Sequence, residues 1–138
     1  MNQGTPLQGF SVLVVDDEDL VREVACMIIQ ENGGEAFSAA AAEDALQVLR
    51  DSPEVNCVLV DYSMPGTNGY ETFMAMEKVK PGLPTIMTSG LTVVPEVAEL
   101  HRSGRISFLP KPFGEVDLVG AIQRVMEPAD SGNGAESK

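Results

Sequence analysis

The sequence predicts an α/β fold, a doubly wound parallel sheet of five βα units, and three observations carry that prediction. Short β-branched runs alternate with longer stretches of helical period, the pattern of parallel strands joined by crossover helices. The first, third and fourth runs are almost continuously apolar, as strands covered on both faces must be. The chain has 138 residues and no internal repeat, which suits one compact domain.

The first strand spans residues 10–15. After it Val21, Val24, Ala25, Ile28 and Ile29 recur at i, i+3, i+4, i+7 and i+8, one apolar helix face that stops at Gly33-Gly34. The second run, residues 35–38, is weaker and suits a sheet edge. Ala42, Ala45, Leu46 and Leu49 mark a second helix before Pro53. The third strand covers residues 57–60; Thr67-Asn68-Gly69 then reads as loop and helix entry, and Tyr70, Phe73 and Met74 lie on a third helix ending near Pro81-Gly82. Residues 85–88 form the fourth strand, and Val94, Val97 and Ala98 mark a fourth helix with Pro95 acceptable in its first turn. A second edge strand, residues 106–109, precedes a fifth helix carrying Leu118, Ile122, Val125 and Met126, ended by Pro128. The domain is therefore expected over residues 10–127, with residues 1–9 an N-terminal extension and residues 128–138 a disordered polar tail that has nothing to bury.

Composition narrows the function. Nine Lys plus Arg against twenty-one Asp plus Glu give a net charge of −12, the wrong sign for gripping a phosphate backbone, which argues against direct nucleic-acid binding. No apolar stretch approaches the roughly 18 residues of a membrane span, and the N-terminus lacks a basic segment followed by an apolar core. No membrane insertion and a cytoplasmic location are the expectation. Cys26 and Cys57 lack a C-x-x-C spacing and read as small hydrophobes, and the seven methionines read as core filling.

In open α/β sheets functional groups collect at the carboxyl ends of the strands. Here the first strand ends in Asp16-Asp17-Glu18, the third in Asp61, the fourth in Thr88-Ser89-Gly90 and the fifth in Leu109-Pro110-Lys111-Pro112. Taken singly each has a bland explanation: Asp17 or Glu18 as a helix cap, Asp61 as a turn residue, Lys111 as a solvated charge, Ser89-Gly90 as a turn. Independent caps and turns would not gather at one end of successive strands. Two carboxylates about 4 Å apart repel by about 4 kcal/mol at an effective dielectric near 20, so something positive must compensate. Mg²⁺ suits oxygen ligands of this kind, Lys111 adds a second positive charge, and Ser89 adds a hydroxyl. Such a pocket fits stabilisation of a phosphoryl group on its way to a carboxylate.

The ordered series Val-Leu-Val-Val-Asp16-Asp17-Glu18, Asp61-Tyr-Ser-Met64-Pro65-Gly-Thr-Asn-Gly69, Thr88-Ser89-Gly90 and Phe108-Leu-Pro-Lys111-Pro112-Phe113 resembles the receiver domain of two-component response regulators. The Ser-Gly pair looks more like receivers of hybrid histidine kinases, and the series fits a free-standing regulator and an excised module alike. The resemblance implies a flavodoxin-like (βα)₅ sandwich with strand order 2-1-3-4-5. It implies Asp61 as phosphoacceptor, Asp17 and Asp61 as direct Mg²⁺ ligands, Asp16 acting through a bound water, and the Ser63 backbone carbonyl as a further ligand. Lys111 would pair with phosphoryl oxygens, Ser89 would be the switch hydroxyl, Phe108 the switch aromatic, and Lys111-Pro112 a cis peptide. The partners it implies are a histidine kinase or histidine phosphotransfer protein, and a downstream protein met through the fourth helix, fifth strand and fifth helix. The chain would be regulatory, catalysing only its own phosphorylation and slow dephosphorylation, with its output carried by a partner, a self-pair or use as a phosphate sink.

Other readings compete. Asp17-Glu18-Asp19-Leu20-Val21 formally fits the D-x-D-x-V of a haloacid dehalogenase-type phosphatase with Asp17 as nucleophile, but no acidic pair follows Lys111 and Asp61 would be unexplained. A flavin-binding domain needs a Ser/Thr/Gly-rich phosphate loop where this chain has three acids. A degenerate, non-phosphorylated receiver would be expected to lack some of the functional groups. His101, the one histidine, falls on the apolar stripe of the fourth predicted helix and reads as structural rather than as a phosphotransfer group.

Overall fold

The computed structural model describes residues 5–64, 66–90 and 106–126. In chain order these form β1 (Ser11–Val15), α1 (Asp19–Glu31), β2 (Glu35–Ala39), α2 (Ala42–Asp51), β3 (Cys57–Asp61), β4 (Ser63–Met64), β5 (Thr67–Asn68), α3 (Gly69–Val79), β6 (Thr85–Ser89), β7 (Ile106–Pro110) and α4 (Glu115–Met126). Five strands make one parallel sheet in the order β2-β1-β3-β6-β7. Counted among themselves they run 2-1-3-4-5, the doubly wound arrangement. The fully buried β1, β3 and β6 are interior, while the mixed β2 and β7 take the edges, so apolar continuity sorted the strands correctly.

Alternating side chains divide the core into two layers. Leu13, Val15, Val58, Val60 and Met87 pack on one face with Ala45 and Leu49 of α2 and Phe73 and Met76 of α3. Val12, Val14, Cys57, Leu59 and Ile86 pack on the other with Ala25, Ile28 and Ile29 of α1 and Leu118, Ala121 and Ile122 of α4. With both faces covered, polar groups reach solvent chiefly at the strand ends.

Several expectations need correcting. Val24 and Met74 are 40% and 39% exposed, so the buried faces of α1 and α3 are narrower than their apolar residues suggest; α3 buries Thr72 and Met76 beside Phe73 instead. Thr67-Asn68-Gly69 does enter a helix at Gly69, but Thr67 and Asn68 are strand rather than loop, pairing with Met64 and Ser63 in a two-stranded antiparallel ladder. The ladder delivers Asn68 as the cap of α3, its side chain accepting from the Glu71 amide at 2.9 Å in a reciprocal capping box. Within the expected N-terminal extension, Leu7 is fully buried in the second layer and its amide donates to the Asn32 carbonyl at 2.8 Å. The fourth predicted helix with His101, and the tail over residues 128–138, lie outside the described residues. No helix among the described residues is long and apolar enough to cross a membrane.

Candidate functional site

Hydrogen bonding at the ends of β1, β3, β6 and β7 brings the singled-out residues together. The Asp16 amide donates to the Ala39 carbonyl at 3.1 Å, the Tyr62 amide to Thr88 at 2.8 Å, and the Lys111 amide to Ser89 at 2.9 Å. Each bond extends a strand pairing by one step, so Asp16, Asp61 and Lys111 emerge side by side. The Lys111–Pro112 peptide is cis.

Asp16 and Asp61 are 2% and 4% exposed, an unusual burial for acids. Lys111 Nζ lies 3.0 Å from Asp16 Oδ2, 3.4 Å from Asp61 Oδ1 and 3.6 Å from Glu18 Oε1. Asp16 Oδ1 accepts from the Glu18 amide at 2.9 Å, and Asp61 Oδ1 from the Ser63 amide at 3.3 Å. Burial, and then the neighbouring Asp16 charge, hold the Asp61 carboxyl above its ordinary value although Lys111 and the Ser63 amide pull against them. Burial also opposes the Lys111 charge, but Asp16 and Asp61 outweigh it and raise the ammonium above its usual value. Among the described residues, one ammonium faces two buried carboxylates.

Asp17 is exposed, and one carboxylate oxygen from each of Asp16, Asp17 and Asp61 lies within 4.8 Å of the others. Three hard oxygen donors at that separation fit a small divalent cation. A cavity of about 450 Å³ opens between Asp17, Glu18, Asp61, Ser63, Gly90 and Lys111. A second cavity of similar size, largely apolar, adjoins it at Glu18, Gly90 and Lys111 and continues along Leu20, Val24 and Phe113.

The bland reading of the first loop fails: Glu18 is the N-cap of α1 and makes no side-chain cap bond. Ser89 is 3% exposed at the end of β6, and Phe108 is half-buried on β7. Met87 is the register partner of Phe108, so alternation puts Ser89, two residues on, on the same sheet face as Phe108; Thr88 is the register partner of Asp61. Two features escaped sequence reasoning. Glu18 shares Lys111, and Arg22 of α1 donates from Nη1 to the Asp16 backbone carbonyl at 2.7 Å. A cation one helical turn past the acids was the available signal for the second.

Comparison with known proteins agrees with this geometry. The response regulator receiver domain family matches residues 12–123. The transcriptional regulatory protein FixJ of Rhizobium meliloti is 32% identical over 123 residues, covering 88% of this chain and 59% of that protein. The sensor kinase CckA of Brucella abortus is 30% identical over 132 residues, covering 94% of this chain and 14% of the kinase. The chain thus spans only part of the length of either relative. Among solved structures, the Vibrio cholerae chemotaxis protein CheY4 superposes with a TM-score of 0.76 at 28% identity, over 85% of this chain and 98% of that one.

Proposed function

The chain belongs to the response regulator receiver domain family of two-component signalling, and from that premise we propose that Asp61 accepts a phosphoryl group from the phosphohistidine of a histidine kinase or histidine phosphotransfer protein. The observation that carries the reading is the buried Asp61 carboxylate, 3.4 Å from Lys111 Nζ, on the wall of a cavity shared with Asp17.

In the proposed reaction an Asp61 oxygen forms a bond to phosphorus as the bond from phosphorus to the donor imidazole breaks, and the electron pair leaves with the imidazole nitrogen. Lys111, now shared among carboxylates, turns to the phosphoryl oxygens as negative charge gathers there. Asp17, Asp61 and the Ser63 backbone carbonyl would hold Mg²⁺ directly and Asp16 through a water. When bound, the ion supplies Lewis-acid stabilisation of the phosphoryl oxygens. Ser89 then bonds the new phosphoryl oxygen and Phe108 turns inward, changing the outer surface of β7 and α4, where a downstream protein is read. A cytoplasmic setting accompanies this reading, in keeping with the free thiols of Cys26 and Cys57.

The arrangement favours this over a phosphatase with Asp17 as nucleophile, since Lys111 engages Asp61 and Asp16 while Asp17 faces solvent. Intact mass after incubation with Mg²⁺ and a small acyl phosphate tests it. One added phosphoryl group is expected, abolished by chelator and by Asp61→Asn. Steady turnover that needs Asp17 but not Asp61 would establish the phosphatase instead. No addition, together with no spectral response to fluoroberyllate, would mean a degenerate receiver.

A further inference from the structure

We propose that Arg22 is a positioning residue for the cation site, fixing the peptide that joins Asp16 to Asp17 and so the relative placement of those two acids. The inference rests on the reading that Asp16, Asp17 and Asp61 hold a divalent cation.

Asp16 is restrained at three points besides Arg22: its amide by Ala39, one carboxylate oxygen by the Glu18 amide and the other by Lys111. None of these acts on its carbonyl. The Asp16 carbonyl and the Asp17 amide belong to one planar unit, so whatever holds the carbonyl sets the direction in which the chain enters Asp17. Arg22 Nη1 holds it at 2.7 Å, while Nη2 of the same planar guanidinium is engaged by Asp19. Gripped at two points, the fork has little rotational freedom, and its side chain is only 19% exposed. Asp17, by contrast, is exposed, so packing contributes little to its direction.

A guanidinium is a like charge to the cation, so acting only through space it weakens cation binding and its removal should tighten it. Acting as an anchor for two acids, it strengthens binding and its removal should loosen it. The two roles predict opposite shifts.

The test is a Mg²⁺ titration of the full chain followed by amide NMR, on wild type and on Arg22→Met, which keeps the apolar stem and loses the fork. The expected result is about tenfold weaker Mg²⁺ binding in the folded variant, the low end of the effect of losing a partner behind a metal ligand. Should Arg22→Met not fold, Arg22→Gln, which is neutral and too short for both contacts, carries the same expectation. Binding equal to or tighter than wild type in a folded variant would overturn the proposal while leaving the cation site intact. A wild type that binds no Mg²⁺ would instead remove the cation reading, and the inference with it.

Discussion

Lys111 Nζ lies 3.0 Å from Asp16 Oδ2, and the same ammonium is the cation that Asp61 faces. Two buried carboxylates at the ends of different strands are thus held by one side chain that follows a third. Among the described residues one ammonium faces two buried carboxylates, a charge imbalance that the proposed divalent ion would offset.

Lys111→Ala strands both carboxylates. Breaking a buried ion pair from one side costs about 3 kcal/mol or more, so the variant should unfold at markedly lower urea in chelator. Mg²⁺ should recover much of that loss. Urea titrations with and without Mg²⁺ measure both quantities, and no destabilisation in chelator would mean that the pair contributes nothing to the fold.

Asp61→Asn should have the opposite effect. Asp61 is held above its ordinary value in the folded chain, so the folded state favours its neutral form and the ionised carboxylate costs stability at neutral pH. Without metal, Asp61→Asn is expected to be more stable than wild type at pH 7, with the gap narrowing as pH falls towards the ordinary carboxylate value of 3.8. Urea midpoints across that range read the difference; a gap that widened on acidification would contradict the assigned direction.

Gly69 should tolerate no side chain. A Cβ there would meet the Tyr62 Cα at 2.6 Å and the Asp61 carbonyl at 3.1 Å, both atoms of the backbone that carries the Asp61 carboxylate. Gly69→Ala is therefore expected to destabilise by about 1–3 kcal/mol, the usual cost of forced overpacking. Whatever protein stays folded should bind Mg²⁺ more weakly, because relief must come from moving the Asp61–Tyr62 backbone. Denaturation and Mg²⁺ titration on the same sample separate the two effects.

Leu7 provides a control remote from the site. It is fully buried, and Leu7→Ala should cost about 2–5 kcal/mol, as large-to-small core changes do. Mg²⁺ affinity of the folded variant should equal that of wild type. Loss of affinity without loss of stability would contradict a purely structural role.

The thiols should differ in reactivity. Burial pushes the Cys57 thiol up to about 12, and raises Cys26 as well, against the nearby Arg22 charge. At pH 8 the native chain is expected to alkylate slowly at Cys26 and at Cys57 only on unfolding, since the thiolate is the nucleophile. Peptide mass after timed iodoacetamide treatment checks it; fast labelling of Cys57 in the native state would contradict its burial.

What the sequence made legible were features written in short-range pattern. Continuous apolar runs identified β1, β3 and β6 as interior, and the acids and Lys111 were found because they follow directly on strand ends. Features set by long-range closure were not legible. Leu7 looks like any residue of a polar stretch until Asn32, the C-cap of α1, gives its amide a partner. Val24 and Met74 have the right spacing for a buried stripe, but each lies at the margin of its helix face and remains part-exposed. Periodicity says which residues share a side of a helix and not how far round the neighbouring layer reaches. Arg22 escaped for a similar reason, since its partner is a backbone carbonyl, which carries no residue-type signal.

The most direct test of the central claim is chemical identification of the phosphorylated residue. After incubation with Mg²⁺ and acyl phosphate, borohydride converts an acyl-phosphorylated aspartate to homoserine, and peptide mass locates the conversion. Homoserine is expected at position 61 alone, and not when chelator replaces Mg²⁺. Conversion at Asp17 with Asp61 untouched, or at neither under conditions where the chain binds Mg²⁺, would contradict it.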